Sequence, residues 1–289
     1  IYLALTIAAM TGVARMRRWP WLALAALAGG AGWSVWMIFV GGALDTLGSL
    51  SIGAYVLLLG VAIPLFAYEG SRATLLRAAA AVVGALQLAL LVAQAGYTPL
   101  QWGLFALLAA AGQWLAWRER RLAIVPTTSL ALSVLLIVLW PDASAFWFAS
   151  VGIALLSIHA LPLLARLWTD PRDLRRTIEL CVLALSIVPL TKWQLWEMSD
   201  VGIAIIALGA AGLPAAGIAR GWRIEGRRAD NRFAWLTATA AALVSLALVL
   251  LLPLWLAPAA IAGVASALLP FGRIADDKRI EWVATGFFG

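Results

Sequence analysis

The side chains with which this sequence could do chemistry inside long apolar stretches are few: His159, Lys192, Glu197, Gln87 and Gln94. An ionisable group is costly to hold in hydrocarbon, so each marks a candidate site. His159 is the only histidine and lies roughly 10 Å inside an apolar helix, counted from Arg166 at about 1.5 Å per residue. Two roles are open to it: a proton relay or ligand contact, or a packed histidine bonded to a carbonyl that Pro162 frees by disrupting its own helix. The same segment has no second histidine, cysteine or aspartate, so no metal site is built around it. Lys192, in "TKWQLWEMSD", is roughly 6 Å below the end of its helix. At that depth its ammonium reaches the surface and meets Glu197 or Asp200, the alternative being contact with a substrate. Gln87 and Gln94 are seven residues apart and share a helix face, with Gln101 and Gln113 on the next helix. Such amides either bond between helices or line a polar pathway. Glu179 sits in a first helical turn behind Arg175 and Arg176, where the helix dipole favours a carboxylate.

Other chemistry leaves recognisable patterns that do not occur here: a glycine-rich phosphate loop, a His/Cys cluster, a nucleophile spaced from its base, or paired carboxylates at mid-depth. No catalytic residue, metal or cofactor is therefore expected. The one cysteine, Cys181, lies in an apolar segment and reads as a small packing residue.

These residues are positioned by a chain of 289 residues, 64% hydrophobic and 12% charged, with a mean hydropathy of +0.95. Soluble domains carry about 25% charged residues. Apolar runs of about 20 residues match a hydrocarbon layer of about 30 Å and must satisfy their own backbone hydrogen bonds as helices. Helices are expected at residues 1 to 14, 20 to 40, 50 to 68, 78 to 95, 98 to 117, 122 to 140, 145 to 165, 177 to 196, 201 to 219, 233 to 251 and 254 to 271. The fold class is all-α, a polytopic transmembrane bundle of about 11 helices over residues 1–272, with a short cytoplasmic tail at 273–289. The chain opens inside an apolar run, which reads as a truncated first helix of a longer polypeptide.

Sorted by loop, 20 of the 21 basic residues fall on alternate connections, and Lys192 is the exception. Lysine and arginine stay on the cytoplasmic side of short loops, which puts the N-terminus outside and the C-terminus inside. The formal charge of +7 is spread among these loops, so the expected partner is a lipid bilayer and not nucleic acid. The longest connection, about 220 to 232, is basic and suits anionic lipid headgroups. Trp19, Trp21, Trp117, Trp140, Trp168, Trp193, Trp196, Trp222, Trp235 and Trp255 fall near span ends and read as interfacial anchors. Runs such as "LAGGAG" (27 to 32) and "ALGAAG" (207 to 212) permit close helix approach.

The stretches "RMRRWPWLALAALAGGAGWSVWM" (15 to 37) and "LAWRERRLAIVPTTSLALSVLLIVLWP" (115 to 141) repeat a basic cluster, a Trp or Leu entry and an Ala/Leu-rich span. This pattern resembles the bacterial multi-pass membrane family called domain of unknown function 2339. The resemblance implies a bacterial inner-membrane location and a longer parent chain, and carries over no catalytic residue. The functional expectation is a non-enzymatic envelope component that binds or moves a lipid-like, amphipathic molecule. Its rivals are a scaffold for partner membrane proteins and a membrane enzyme acting on lipid-linked substrates.

Overall fold

The computed structural model describes residues 2–40, 45–62, 73–170, 173–224 and 230–287. Among these residues there are twelve α-helices and no strand. In chain order they are α1 (Tyr2–Arg17), α2 (Pro20–Val40), α3 (Thr46–Leu57, continued by a π-turn Leu58–Ala62), α4 (Ala73–Gln94), α5 (Pro99–Arg118) and α6 (Ile124–Leu139). They continue with α7 (Ala145–Arg166), α8 (Arg175–Gln194), α9 (Asp200–Trp222), α10 (Asn231–Leu251), α11 (Ala257–Ala275) and α12 (Lys278–Gly286).

Among the described residues seven helices are long and apolar enough to cross a membrane: α2, α4, α6 with its 3-10 lead, α7, α9, α10 and α11 with its own. Helices α5 and α8 have 20 residues each but dilute their apolar surface with Gln101 and Gln113, or Glu179 and Lys192. Each expected helix meets an observed one, with shifted ends. Helix α3 starts at Thr46 because Asp45 caps it, its carboxylate accepting from the Gly48 amide at 2.7 Å. Residues 63 to 68 of that expected helix lie outside the described residues. The stretch expected as a tail holds α12, with Ile280 and Ala284 buried.

Local chemistry explains the breaks. Pro20 and Pro99 open α2 and α5, where a missing N–H costs nothing. Gly96 (φ 78°) and Tyr97 (φ 58°) turn the chain between α4 and α5 through the left-handed region. Asp276 (φ 53°) does the same between α11 and α12.

The chain forms two compact units, Ile1–His159 and Ala160–Gly289. In the first, α4 is the central helix, packing on α2, α3, α5 and α6. Its crossing with the π-turn is a backbone contact: a Cβ on Gly84 would stand 3.2 Å from the Gly60 Cα. Small residues at such crossings let dispersion contacts hold helices together where lipid removes any hydrophobic drive. In the second unit, α9 lies between α8 and α10 on a core of Ala184, Ala204, Ala207, Ala211, Ala247 and Leu243. Helices α11 and α12 pack on α10 and on each other.

Candidate functional site

His159 is buried and bonded through both ring nitrogens. The Gln113 amide stands 3.1 Å from Nδ1 and the Ser133 hydroxyl 3.3 Å from Nε2. Ser133 donates its own proton to the Ser129 carbonyl at 2.7 Å. The proton inventory is therefore consistent: Gln113 donates to Nδ1, Nε2–H donates to Ser133, and Ser133 donates onward. The expectation that Pro162 supplies the partner carbonyl is corrected, since α5 and α6 supply both partners. The reason is geometric: α6 offers a hydroxyl and α5 an amide at the depth of the imidazole, so the ring has no polar capacity left for its own helix.

The other glutamines work in the same way. The Gln87 amide donates to the Ala31 carbonyl at 2.9 Å and to the Ser34 hydroxyl at 2.6 Å, tying α4 to α2. The Gln101 amide donates to the Ser49 hydroxyl at 2.9 Å, tying α5 to α3, and its carbonyl accepts from Thr98. Gln94 departs from the expectation: it is exposed as the last residue of α4, while Gln87 is buried mid-helix. Seven residues keep the face but carry the side chain about 10 Å along the axis, here out of the packed region.

Lys192 is 48% exposed and its ammonium donates to the Met198 carbonyl at 3.2 Å. Asp200, at 3.9 Å, is the carboxylate within ion-pair distance, while Glu197 stands exposed. Glu179 accepts from Arg175 at 2.7 Å, one helical turn away. Cys181 is buried, with its thiol 3.8 Å from the Trp235 carbonyl.

The most elaborate polar group was not singled out in the sequence, where Arg232 reads as one more loop charge. Its side chain is 0% exposed and is the largest fully buried one. Nε donates to both Asp230 oxygens at 3.1 Å and Nη2 to Oδ2 at 2.6 Å. Nη1 donates to the Leu167 carbonyl at 2.6 Å and the Asp170 carbonyl at 2.8 Å, just beyond the end of α7. The guanidinium carbon lies 4.8 Å from the Trp168 ring centre, and the Trp168 indole donates to the Gly217 carbonyl at 2.9 Å. A Cβ on Gly221 would overlap that indole. One arginine thus joins the chain after α7 to the start of α10, over an indole seated on α9. A signal for it exists: "DNRFAW" (230 to 235) and "DKRIEW" (277 to 282) share Asp-x-Arg, an apolar residue and Trp. In both, the aspartate caps the helix, the arginine folds back on it, and the apolar residue, Phe233 or Ile280, is fully buried.

Two tryptophans expected at the interface are interior. Trp140 joins Tyr97 and Trp102 in an aromatic knot, with ring centres 5.9 Å and 5.1 Å away. Tyr97 donates to the Leu139 carbonyl at 3.1 Å, and burial pushes its phenol above the ordinary value, so it remains a donor. Trp168 is in the arginine group just described, and Trp222 is half-buried against Phe233 and Phe271. An indole near a span end anchors to lipid only where no neighbouring loop covers it. The remaining seven, Trp19, Trp21, Trp117, Trp193, Trp196, Trp235 and Trp255, are exposed.

Among the described residues no group of His, Cys, Asp and Glu is placed to hold a metal ion. Four buried polar atoms among the described residues lack a hydrogen-bond partner there: Trp102 Nε1, Thr177 Oγ1, Ser245 Oγ and Asp277 Oδ2. What these residues define is an all-helical protein with seven helices able to cross a membrane, whose buried amides and imidazole bond between helices. Comparison with protein-family models, curated proteins and solved structures returns no match.

Proposed function

We propose that the chain is a multi-pass component of the bacterial cytoplasmic membrane, crossing it about eleven times with its arginine-rich connections in the cytoplasm. In this reading it acts through its outer surface, by holding a lipid-like or other amphipathic molecule, and performs no reaction in its interior. The observation that carries it is the interhelical bonding of the buried amides and the imidazole: Gln87 on Ser34, Gln101 on Ser49, and His159 between Gln113 and Ser133. A relay or binding site needs polar capacity directed at a ligand, whereas these groups spend theirs on neighbouring helices. The alternation of basic loops supports the orientation, and the resemblance to domain of unknown function 2339 supports the bacterial location.

The test is complementation of an envelope phenotype caused by deleting the gene. The double substitution Gln113→Leu, His159→Leu removes the polar tie as a unit and is expected to complement at normal abundance. Lost complementation with normal abundance means that the imidazole does chemistry, and the enzyme reading replaces this one. Full complementation combined with stoichiometric retention of a partner subunit and no bound lipid favours the scaffold.

A further inference from the structure

The two units differ in how their basic ends are balanced. In the first, Ala14 and Ala23 pack with Ala73, and Leu122 packs with Ala78, so the α1–α2 turn, the start of α4 and the α5–α6 turn share one end. The described residues of that end hold seven arginines (15, 17, 18, 77, 118, 120 and 121) against one glutamate, Glu119. Glu119 is already engaged, accepting from Thr74 and from Arg77 at 3.3 Å. Around the α7–α8 and α9–α10 connections and the C-terminal end of α11, the described residues of the second unit hold nine basic residues against seven acids. Several of those acids face arginines directly: Asp173 on Arg176, Glu179 on Arg175, Asp230 on Arg232 and Asp277 on Arg279.

On the first unit, Arg17, Arg18, Arg118 and Arg121 are exposed and have no carboxylate partner among the described residues. They sit among exposed indoles: Trp19 stacks on Trp21 at 5.7 Å beside Arg17 and Arg18, and the Arg118 guanidinium lies 4.4 Å over the Trp114 ring. A guanidinium over an indole face can still present N–H groups to a planar or tetrahedral anion. Tryptophan rests at the depth of lipid headgroups, which brings those edges level with the phosphates.

We infer that the arginine end of the first unit, from Arg17, Arg18 and Arg118 to Arg121, is a docking surface for the phosphates of anionic phospholipids. This rests on the membrane reading above and deepens it; of the 220 to 232 connection, also expected to meet headgroups, residues 225 to 229 lie outside the described residues, and Arg232 is bonded internally. Each arginine that engages a headgroup favours anionic over zwitterionic lipid on the order of fivefold at low salt.

The test uses the full chain in phosphatidylcholine vesicles, with spin-labelled phosphatidylglycerol and spin-labelled phosphatidylcholine compared by electron paramagnetic resonance. The wild type is expected to restrict the anionic probe at least about fivefold more strongly, a preference that falls as salt screens the charges. Neutralising the site (Arg17→Gln, Arg18→Gln, Arg118→Gln, Arg121→Gln) should bring the ratio to near one. The equal neutralisation of the second unit (Arg220→Gln, Arg223→Gln, Arg273→Gln, Lys278→Gln) should leave most of it. An unchanged ratio in the first variant, an equal fall in both, or a salt-independent wild-type ratio overturns the inference. If the first variant misfolds, the wild-type salt series and the second variant still decide. Absence of any restricted signal from either probe would instead overturn the membrane reading itself.

Discussion

Arg232 and Arg121 are both arginines at the end of an apolar helix, and they end in opposite circumstances. Arg232 is fully buried, gripped by Asp230 and two carbonyls, whereas Arg121 is exposed and makes no ion pair among the described residues. The difference lies two residues upstream. An aspartate at the cap position supplies a local counter-charge and a fixed geometry, which lets the guanidinium enter the protein. The α5–α6 turn has only Glu119, and that side chain is taken by Thr74 and Arg77. A loop arginine is therefore a topology signal, a structural clamp or a lipid contact, according to which carboxylates stand within reach.

This contrast is open to direct challenge. The largest effect is expected from Arg232→Ala, which strands Asp230 and two carbonyls and should destabilise the second unit by about 3 to 5 kcal/mol. Denaturant titration in detergent would measure it, and Arg121→Ala, exposed and unpaired, should cost no more than about 0.5 kcal/mol. If the two variants were equally stable, the clamp would be decorative. Next comes Gly221→Leu, which drives a side chain into the Trp168 indole and should cost about 1 to 3 kcal/mol in the same titration. The first unit offers the smaller counterpart: Gln113→Leu removes one donor to His159 and should cost about 0.6 to 1.7 kcal/mol, the range of interhelical hydrogen bonds in membranes. Smallest is Lys192→Met. A pair this exposed contributes about 0 to 1 kcal/mol, so abundance and thermal stability should match the wild type within error.

Much of the fold was legible in the sequence because hydrocarbon imposes so strict a rule: runs of about 20 apolar residues between arginines admit helices and little else. Helix ends were less legible where a side chain set them, as with the Asp45 cap that pulls the start of α3 to Thr46. The candidate site was half legible. Glutamines on adjacent helices announce interhelical bonds, but the exposure of Gln94 is not legible, because periodicity fixes a face and not a depth. The role of Arg232 is not legible, since a charge count treats every loop arginine alike, whereas its bonds go to Leu167 and Asp170 and its guanidinium lies over Trp168, some sixty residues away in sequence and adjacent only once folded. The same holds for Trp140, whose neighbours are Tyr97 in the α4–α5 turn and Trp102 in α5.

The most direct measurement asks which compartment each connection faces. Cys181 is the sole cysteine and is buried, so single cysteines introduced at Arg121, Lys278 and Trp196 can be read against a quiet background. With a membrane-impermeant maleimide on intact cells, the proposed threading predicts labelling at position 196 alone, with 121 and 278 reacting only after permeabilisation. Labelling of 121 and 278 from opposite compartments, or of 196 together with 121, would contradict it.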